Sequence, residues 1–384
     1  MTPLERWDIF CRVVDNYGDI GVCWRLARQL SSEYGVQLRL WVDELAAFAR
    51  LCPEIDTGLD VQRVRGVEVH RWQADFPLVE PGDVVIETFA CHLPESFVQA
   101  MAARHPAPVW VNLDYLSAES WVAEYHALPS PHPRLPLVKT FFFPGFAKNT
   151  GGLLREAGLA TRREEFLRSR SDQDAFWRRL GQVPTPPETL CLSLFAYTAQ
   201  PALLRAWQDG EQAICCLAFE NRHSAAIERF TGSPWRSGTV FQRGRLEIRC
   251  LPFLEQDDYD RLLWLCNLNC VRGEDSFLRA QWAARPLLWQ IYPQEEAVHL
   301  VKLDAFLEIY CAGLSASQSA LVHRLHAAWN GENPVFTPEI WMDYCKILPE
   351  LTLHAENWQK KLAKRQDLCA SLVHFCRSTG IMHG

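Results

Sequence analysis

The sequence predicts an α/β protein in two halves, each a parallel sheet with helices on both faces. Three observations predict it. Short apolar runs alternate with amphipathic stretches from the start of the chain to about residue 125, which is the rhythm of βαβ units. The same rhythm restarts near residue 189. Between the two lies VPTPPET, whose Pro184, Pro186 and Pro187 are the clearest linker signal in the chain. A length of 384 residues also suits two domains.

Taken in order, residues 7–14 (WDIFCRVV) read as a strand. Residues 22–34 read as a helix, with Val22, Leu26 and Leu30 at helical spacing and Gly35 placed to cap it. VQLRLWV (36–42) alternates like a strand, LAAFARLC follows as a helix, and VEVHRW and DVVIETFA (83–90) read as strands. PESFVQAMAARH is a helix opened by Pro94, VWVNLDYL a strand, and SAESWVAEY a helix. One long charged helix is expected from Arg162 to Leu180. Beyond the prolines come the strand TLCLSLFAY, a helix from Ala202, the strands AICCLAF and LEIRCLPF, the helix DDYDRLLWLC, the strand LNCVRG, the helix SFLRAQWAA and the strand PLLWQIYP. The remainder, from Gln294, reads as mostly helical. The expected domains are 1–182 and 188–358, followed by a final segment 359–384.

Composition excludes several classes. Hydrophobic residues are 48% and charged residues 22%, as in ordinary globular proteins, so a disordered, fibrous or coiled-coil chain is ruled out. No apolar run approaches membrane-spanning length, and Glu5, Arg6 and Asp8 break the opening segment, so a cytoplasmic protein without a membrane role is expected. Basic residues number 39 against 46 acidic, a net charge of −7, which argues against nucleic acid as a partner. Most of the fourteen cysteines sit in apolar runs and none forms a CxxC pair, so buried thiols are expected.

In doubly wound sheets chemistry gathers in the loops after the strands. The first such loop is Asp15-Asn16-Tyr17-Gly18-Asp19. It matches no phosphate-loop pattern, and its two carboxylates would repel phosphate, which favours acid/base work. The same spacing is also that of a turn begun by Asp15 and a helix capped by Asp19. A second segment, Arg272-Gly273-Glu274-Asp275-Ser276, follows a strand and opens a helix. A helix N-terminus beside an arginine suits a diphosphate, with Ser276 as a further donor and Glu274 on sugar hydroxyls. A capped helix with Arg272 in a surface pair fits it equally. Phe195 and Tyr197, two apart at a strand end, could face a base or a phosphate, and Phe253 and Gln256 read likewise. Rings at such positions also occur as core. Asp258-Tyr259-Asp260 and Asp172-Gln173-Asp174 resemble loose metal-binding patterns, but both sit where acids favour a helix start. No HExxH or GxSxG occurs.

The runs VVDNYGDIGVCWRLARQL, DVVIETFACHLPE, VWVNLDYLSAE, RGEDSFLRAQWA and IYPQEEAVHL together resemble the EarP family of protein-arginine rhamnosyltransferases. The resemblance runs from Trp7 to about Asp304. It implies a GT-B glycosyltransferase fold of two Rossmann-like domains facing across a cleft, with the final segment 359–384 crossing back to the first domain. It implies dTDP-β-L-rhamnose as donor, an arginine of translation elongation factor P as acceptor, inversion at the anomeric carbon, and no metal or other cofactor. Carried over by position, Asp19 is the expected base, Asp15 a second essential acid in the loop with Asn16, Tyr17 and Gly18, and Glu274 a sugar or acceptor contact. Arg272, Asp275, Ser276 and Tyr197 are the expected diphosphate clamp. Phe195, Phe253 and Gln256 are the expected thymidine pocket, and Tyr292 is expected to line the rhamnose site. Two other readings stand beside this one. One is a transferase of the same fold with another nucleotide-sugar or acceptor. The other is a non-catalytic nucleotide-binding module that docks on a translation factor.

Overall fold

The computed structural model describes residues 6–15, 17–220, 224–293, 298–331 and 336–382. The chain forms two compact units: residues up to Ala157 together with those from Lys364, and Gly158–Ala363.

The first unit holds strands β1 (Arg6–Cys11), β2 (Gln37–Val42), β3 (Val61–Val64), β4 (Val67–Arg71), β5 (Val84–Thr88), β6 (Val109–Leu113), β7 (Pro129–Pro131) and β8 (Val138–Phe142). Its helices are α1 (Gly18–Tyr34), α2 (Leu45–Leu51), α3 (Glu95–Ala103), α4 (Trp121–Tyr125) and, from the chain's end, α15 (Leu368–Met382). The sheet order is β3-β4-β2-β1-β5-β6-β8-β7, parallel except at its two edges, where β3 and β7 run antiparallel. The order reverses between β1 and β5, so the loops after these strands flank the switch point where α/β sheets place ligands.

A core of Phe10, Trp41, Trp72, Val85, Phe97, Met101 and Trp110 fills one face of this sheet. Asp8 interrupts the apolar run of β1 yet is fully buried. It is satisfied by Arg39 through Nε and Nη2 at 2.7 Å each, by the Trp41 indole at 2.9 Å and by the Gly82 amide at 2.7 Å. A buried carboxylate is tolerable only when paired and hydrogen-bonded in this way.

The second unit opens with α5 (Leu159–Arg168) and α6 (Arg170–Arg179). Its sheet comprises β9 (Leu190–Leu194), β10 (Ile214–Phe219), β11 (Val240–Arg243), β12 (Leu246–Leu251), β13 (Leu268–Arg272) and β14 (Leu287–Gln290). Helices α7 (Pro201–Asp209), α8 (Ala225–Thr231), α9 (Gln256–Leu265) and α10 (Asp275–Ala283) alternate with the strands, and α11 (Val298–Tyr310), α12 (Ala316–Asn330), α13 (Pro338–Lys346) and α14 (Leu348–Ala363) follow them. The order is β11-β12-β10-β9-β13-β14, with its switch between β9 and β13.

Several expectations are corrected. The charged helix 162–180 is two helices broken at Ser169, whose extended backbone and hydroxyl, accepting from the Asp172 amide, start the second. The prolines at 184–187 lie inside the second unit rather than between the units. The reason is packing: Phe166 of α5 meets Phe176 of α6 and Trp264 of α9 edge to face, and Arg179 pairs with Asp258. The division therefore falls at Ala157/Gly158, and α14 stays with the second unit while the segment from Lys364 joins the first. Helix α1 begins at Gly18, a turn before the apolar spacing becomes readable, and ends as expected at a left-handed Gly35.

Candidate active site

In the first unit strand β1 ends at Cys11, and α1 begins at Gly18. The Gly18 amide donates to the Asp15 carbonyl at 2.7 Å, which closes the turn. A Cβ on Gly18 would meet Asp15 Oδ2 at 2.8 Å, so only glycine leaves that carboxylate in place. Asp15 is half-buried and Asp19, one turn on, is fully buried. Asp19 Oδ2 accepts from the amides of Val14 and Asp15, each at 2.8 Å. Its Oδ1 accepts from the Tyr115 hydroxyl at 3.2 Å. Burial raises the Asp19 pKa above the ordinary carboxylate value, and these hydrogen bonds oppose that rise. The carboxylate thus reaches back to hold the loop that precedes it and carries a raised proton affinity. Tyr17 is half-buried beside it, and Asn16 lies outside the described residues.

The expected residues of the second unit gather at the carboxyl ends of β9, β12, β13 and β14. Strand β9 ends at Leu194, so Phe195 and Tyr197 lie just past the strand rather than on it. They still share a target. The Arg272 guanidinium sits 4.3 Å from the Phe195 ring and 4.7 Å from the Tyr197 ring, and donates to the Ala196 carbonyl at 3.3 Å. Two ring faces and a carbonyl fix this cation in a buried position. Gly273 then takes φ +54°, which turns the chain from β13 into α10. The N-cap of α10 is Glu274, with no side-chain cap, and its carboxylate instead pairs with Lys302 of α11 at 3.0 Å.

Ser276 sits in the first turn of α10. Its hydroxyl donates to the Arg272 carbonyl and accepts from the Arg272 amide, so it braces the turn. Asp275 Oδ2 accepts from the Gln256 amide at 3.5 Å, which ties α9 to α10. Phe195 packs edge to face against Phe219 and Tyr259, and burial raises the Tyr259 phenol pKa. Phe253 is half-buried in the loop between β12 and α9, and Tyr292 is exposed and edge-on to Tyr197 at 5.5 Å.

The structure gathers the expected residues into two sets, one in each unit: Asp15, Tyr17, Gly18 and Asp19 in the first, and Phe195, Tyr197, Phe253, Gln256, Arg272, Glu274, Asp275, Ser276 and Tyr292 in the second. Sequence reasoning missed Tyr115, Lys302 and Gln290. Gln290, the last residue of β14, accepts from the amides of Tyr197 and Thr198 at 2.6 and 3.1 Å and so sets the loop that carries the Tyr197 ring. Tyr115 and Gln290 both stand at strand ends, and that position was the available signal. The acidic pairs are spoken for: Asp258 pairs with Arg179 and Arg261, Asp260 with Arg279, and Asp174 with Arg170. Among the described residues no group of three His, Cys, Asp or Glu side chains is placed to hold a metal ion, and no helix is long and apolar enough to cross a membrane.

Residues 7–377 match the family described as elongation-factor P (EF-P) rhamnosyltransferase EarP. The chain is 50% identical to a protein-arginine rhamnosyltransferase of Pseudomonas aeruginosa over 375 residues, 97% of this chain and 99% of that one. A solved structure described as the structural basis for EarP-mediated arginine glycosylation of translation elongation factor EF-P superposes with a TM-score of 0.69 at 37% identity, covering 97% of this chain and 99% of that one. The glycotransferase of kitacinnamycin, at 11% identity and a TM-score of 0.54 over 98% of this chain and 100% of that one, shares the fold alone. The fold is that of the GT-B glycosyltransferases, and the chain belongs to the EarP family of rhamnosyltransferases.

Proposed function

We propose that this protein moves rhamnose from dTDP-β-L-rhamnose to an arginine side chain of translation elongation factor P, with inversion and without a metal. The observation that carries the reading is the Arg272 guanidinium, fixed between two rings next to the uncapped N-terminus of α10. A leaving nucleoside diphosphate gathers negative charge as the glycosidic bond breaks. A preorganised cation and the amides of a helix's first turn stabilise that charge without reorganising. Metal-dependent transferases give this task to a divalent ion, and here Arg272 and α10 take its place. In this reading Phe195 and Tyr197 orient the cation, Phe253 and Gln256 take the base, and Glu274, steadied by Lys302, meets sugar or acceptor polar groups.

The arginine acceptor follows from the family and from the chemistry of Asp19. Guanidinium pKa values lie above about 12, so removing a proton before attack is prohibitive. A carboxylate works by hydrogen-bonding the guanidinium, aligning one nitrogen on the anomeric carbon. That nitrogen forms its bond to C1 as the C1–oxygen bond to the diphosphate breaks on the opposite face, and the surplus proton passes late to the carboxylate. A carboxylate whose proton affinity is raised by burial is suited to receive it. Asp19 is fully buried, and Oδ1, which accepts from the Tyr115 hydroxyl, keeps a second lone pair for the guanidinium. Asp15, half-buried at the loop's turn, is the acid an arriving guanidinium meets first.

The test is Asp19→Asn, which keeps the shape and removes the charge. Thymidine diphosphate binding, by calorimetry, stays within twofold of the parent, while rhamnosyl transfer falls by a factor of about a thousand or more. An active variant would make Asp19 only the brace of its loop. Loss of both binding and turnover would also contradict the assignment.

A further inference from the structure

We propose that Tyr115 is the positioning residue for the Asp19 carboxylate: its hydroxyl fixes Oδ1, as the loop amides fix Oδ2. The inference rests on the reading of Asp19 as the base.

The Tyr115 ring is held from two sides. It stacks on Phe89 with centroids 4.3 Å apart and planes 11° from parallel. Its own amide donates to Asp114 Oδ1 at 2.7 Å, and the Asp114 amide donates to the Phe142 carbonyl at 3.1 Å, so β8 anchors the turn after β6. Phe89 is placed at unusual conformational cost. It and Ala90 adopt left-handed backbone, φ +54° and +51°, at positions where neither is glycine. The Phe89 amide donates to the Leu113 carbonyl at 2.7 Å, which fastens this turn to the end of β6. The end of β5 is therefore distorted where the two rings stack. A phenylalanine would stack on Phe89 as well as tyrosine does, so the stack alone does not call for the hydroxyl. The hydroxyl donates to Asp19 Oδ1.

The consequence is a pH dependence with a definite sign. A hydrogen bond to the ionised carboxylate favours the charged form, so the Tyr115 hydroxyl lowers the Asp19 pKa against the rise that burial imposes. Other groups bear on the same carboxylate. Asp43 at the end of β2 raises its pKa and is itself 3.9 Å from Arg12. Cys11 on β1 is a neutral thiol whose pKa burial and Cys23 push up. Asp15 belongs to the same loop. None of these changes in Tyr115→Phe. Removing the hydroxyl therefore moves the Asp19 titration up, and the ionised base is lost at a higher pH.

The experiment is the pH profile of kcat/KM for elongation factor P, with Asp19→Asn as reference. Tyr115→Phe moves the acid limb up by about one pH unit, the order expected when one charge-assisted hydrogen bond is lost. It leaves the alkaline plateau within about twofold, and activity is about tenfold lower a unit below the wild-type limb. Phe89→Leu, which keeps the hydroxyl but removes the stacked ring, moves the limb the same way by less. An unmoved limb, or a loss uniform across pH, overturns the inference. An active Asp19→Asn overturns instead the base assignment on which it rests.

Discussion

Asp19 and Arg272 are both buried, and each is oriented by its neighbours. Asp19 takes backbone amides and a phenol; Arg272 takes ring faces and a carbonyl. This separates Asp19 from Asp8 and Asp260, whose bidentate arginines make them structural. A charge held in one orientation is what the proposed base and the proposed leaving-group clamp require. Lysine cannot reproduce Arg272, because an ammonium neither lies flat between two rings nor donates in a fork. Arg272→Lys therefore weakens thymidine diphosphate about tenfold in calorimetry, the ~1–2 kcal/mol of a well-placed cation–π contact. Unchanged affinity would remove Arg272 from the clamp.

At the level of elements, the second half-site depends on how α10 is seated. Arg279 on α10 and Asp260 on α9 form a buried bidentate pair, Nε to Oδ1 at 2.9 Å and Nη2 to Oδ2 at 2.5 Å, with exposures of 2% and 5%. Asp260→Ala strands the arginine and costs about 3–5 kcal/mol, roughly a 10 °C fall in Tm for a unit of this size. Replacing both partners, Asp260→Leu with Arg279→Met, costs less than the single change, and differential scanning calorimetry orders the two. If the single variant melts with the parent, the pair is not what seats α10.

The parallel strands were legible because β5, β6, β10 and β13 are short β-rich apolar runs buried on both faces. The edges were not. The edge strands β3 and β7 are short and mostly exposed, so no apolar period marks them, whereas β4, which pairs with β3 through the turn at Arg65-Gly66, alternates and reads as the strand VEVHRW. The start of α1 was hidden for a similar reason, since Gly18, Asp19 and Gly21 are weak helix formers held by the loop's own hydrogen bonds. The site was partly legible. Asp19, Arg272 and Glu274 stand where a strand passes into the next helix, at the start of α1, the end of β13 and the N-cap of α10, and that position alone raised them. Tyr115 and Lys302 were not, because each acts on a residue distant in sequence: Tyr115 on Asp19, and Lys302 on Glu274.

For the whole molecule, the chain carries two sets of functional side chains, an acid-bearing loop in one unit and a cation at a helix N-terminus in the other. A nucleotide-binding module would need only the second. The first, with its buried carboxylate of raised proton affinity, is what a transfer reaction adds. The most direct measurement is intact mass spectrometry of elongation factor P after incubation with this protein and dTDP-β-L-rhamnose in EDTA. The account predicts the gain of a single deoxyhexose, mapped by fragmentation to one arginine. An unmodified factor, in a preparation that still binds thymidine diphosphate, would contradict the proposed donor–acceptor pair, and modification only when a divalent metal is restored would contradict the role given to Arg272.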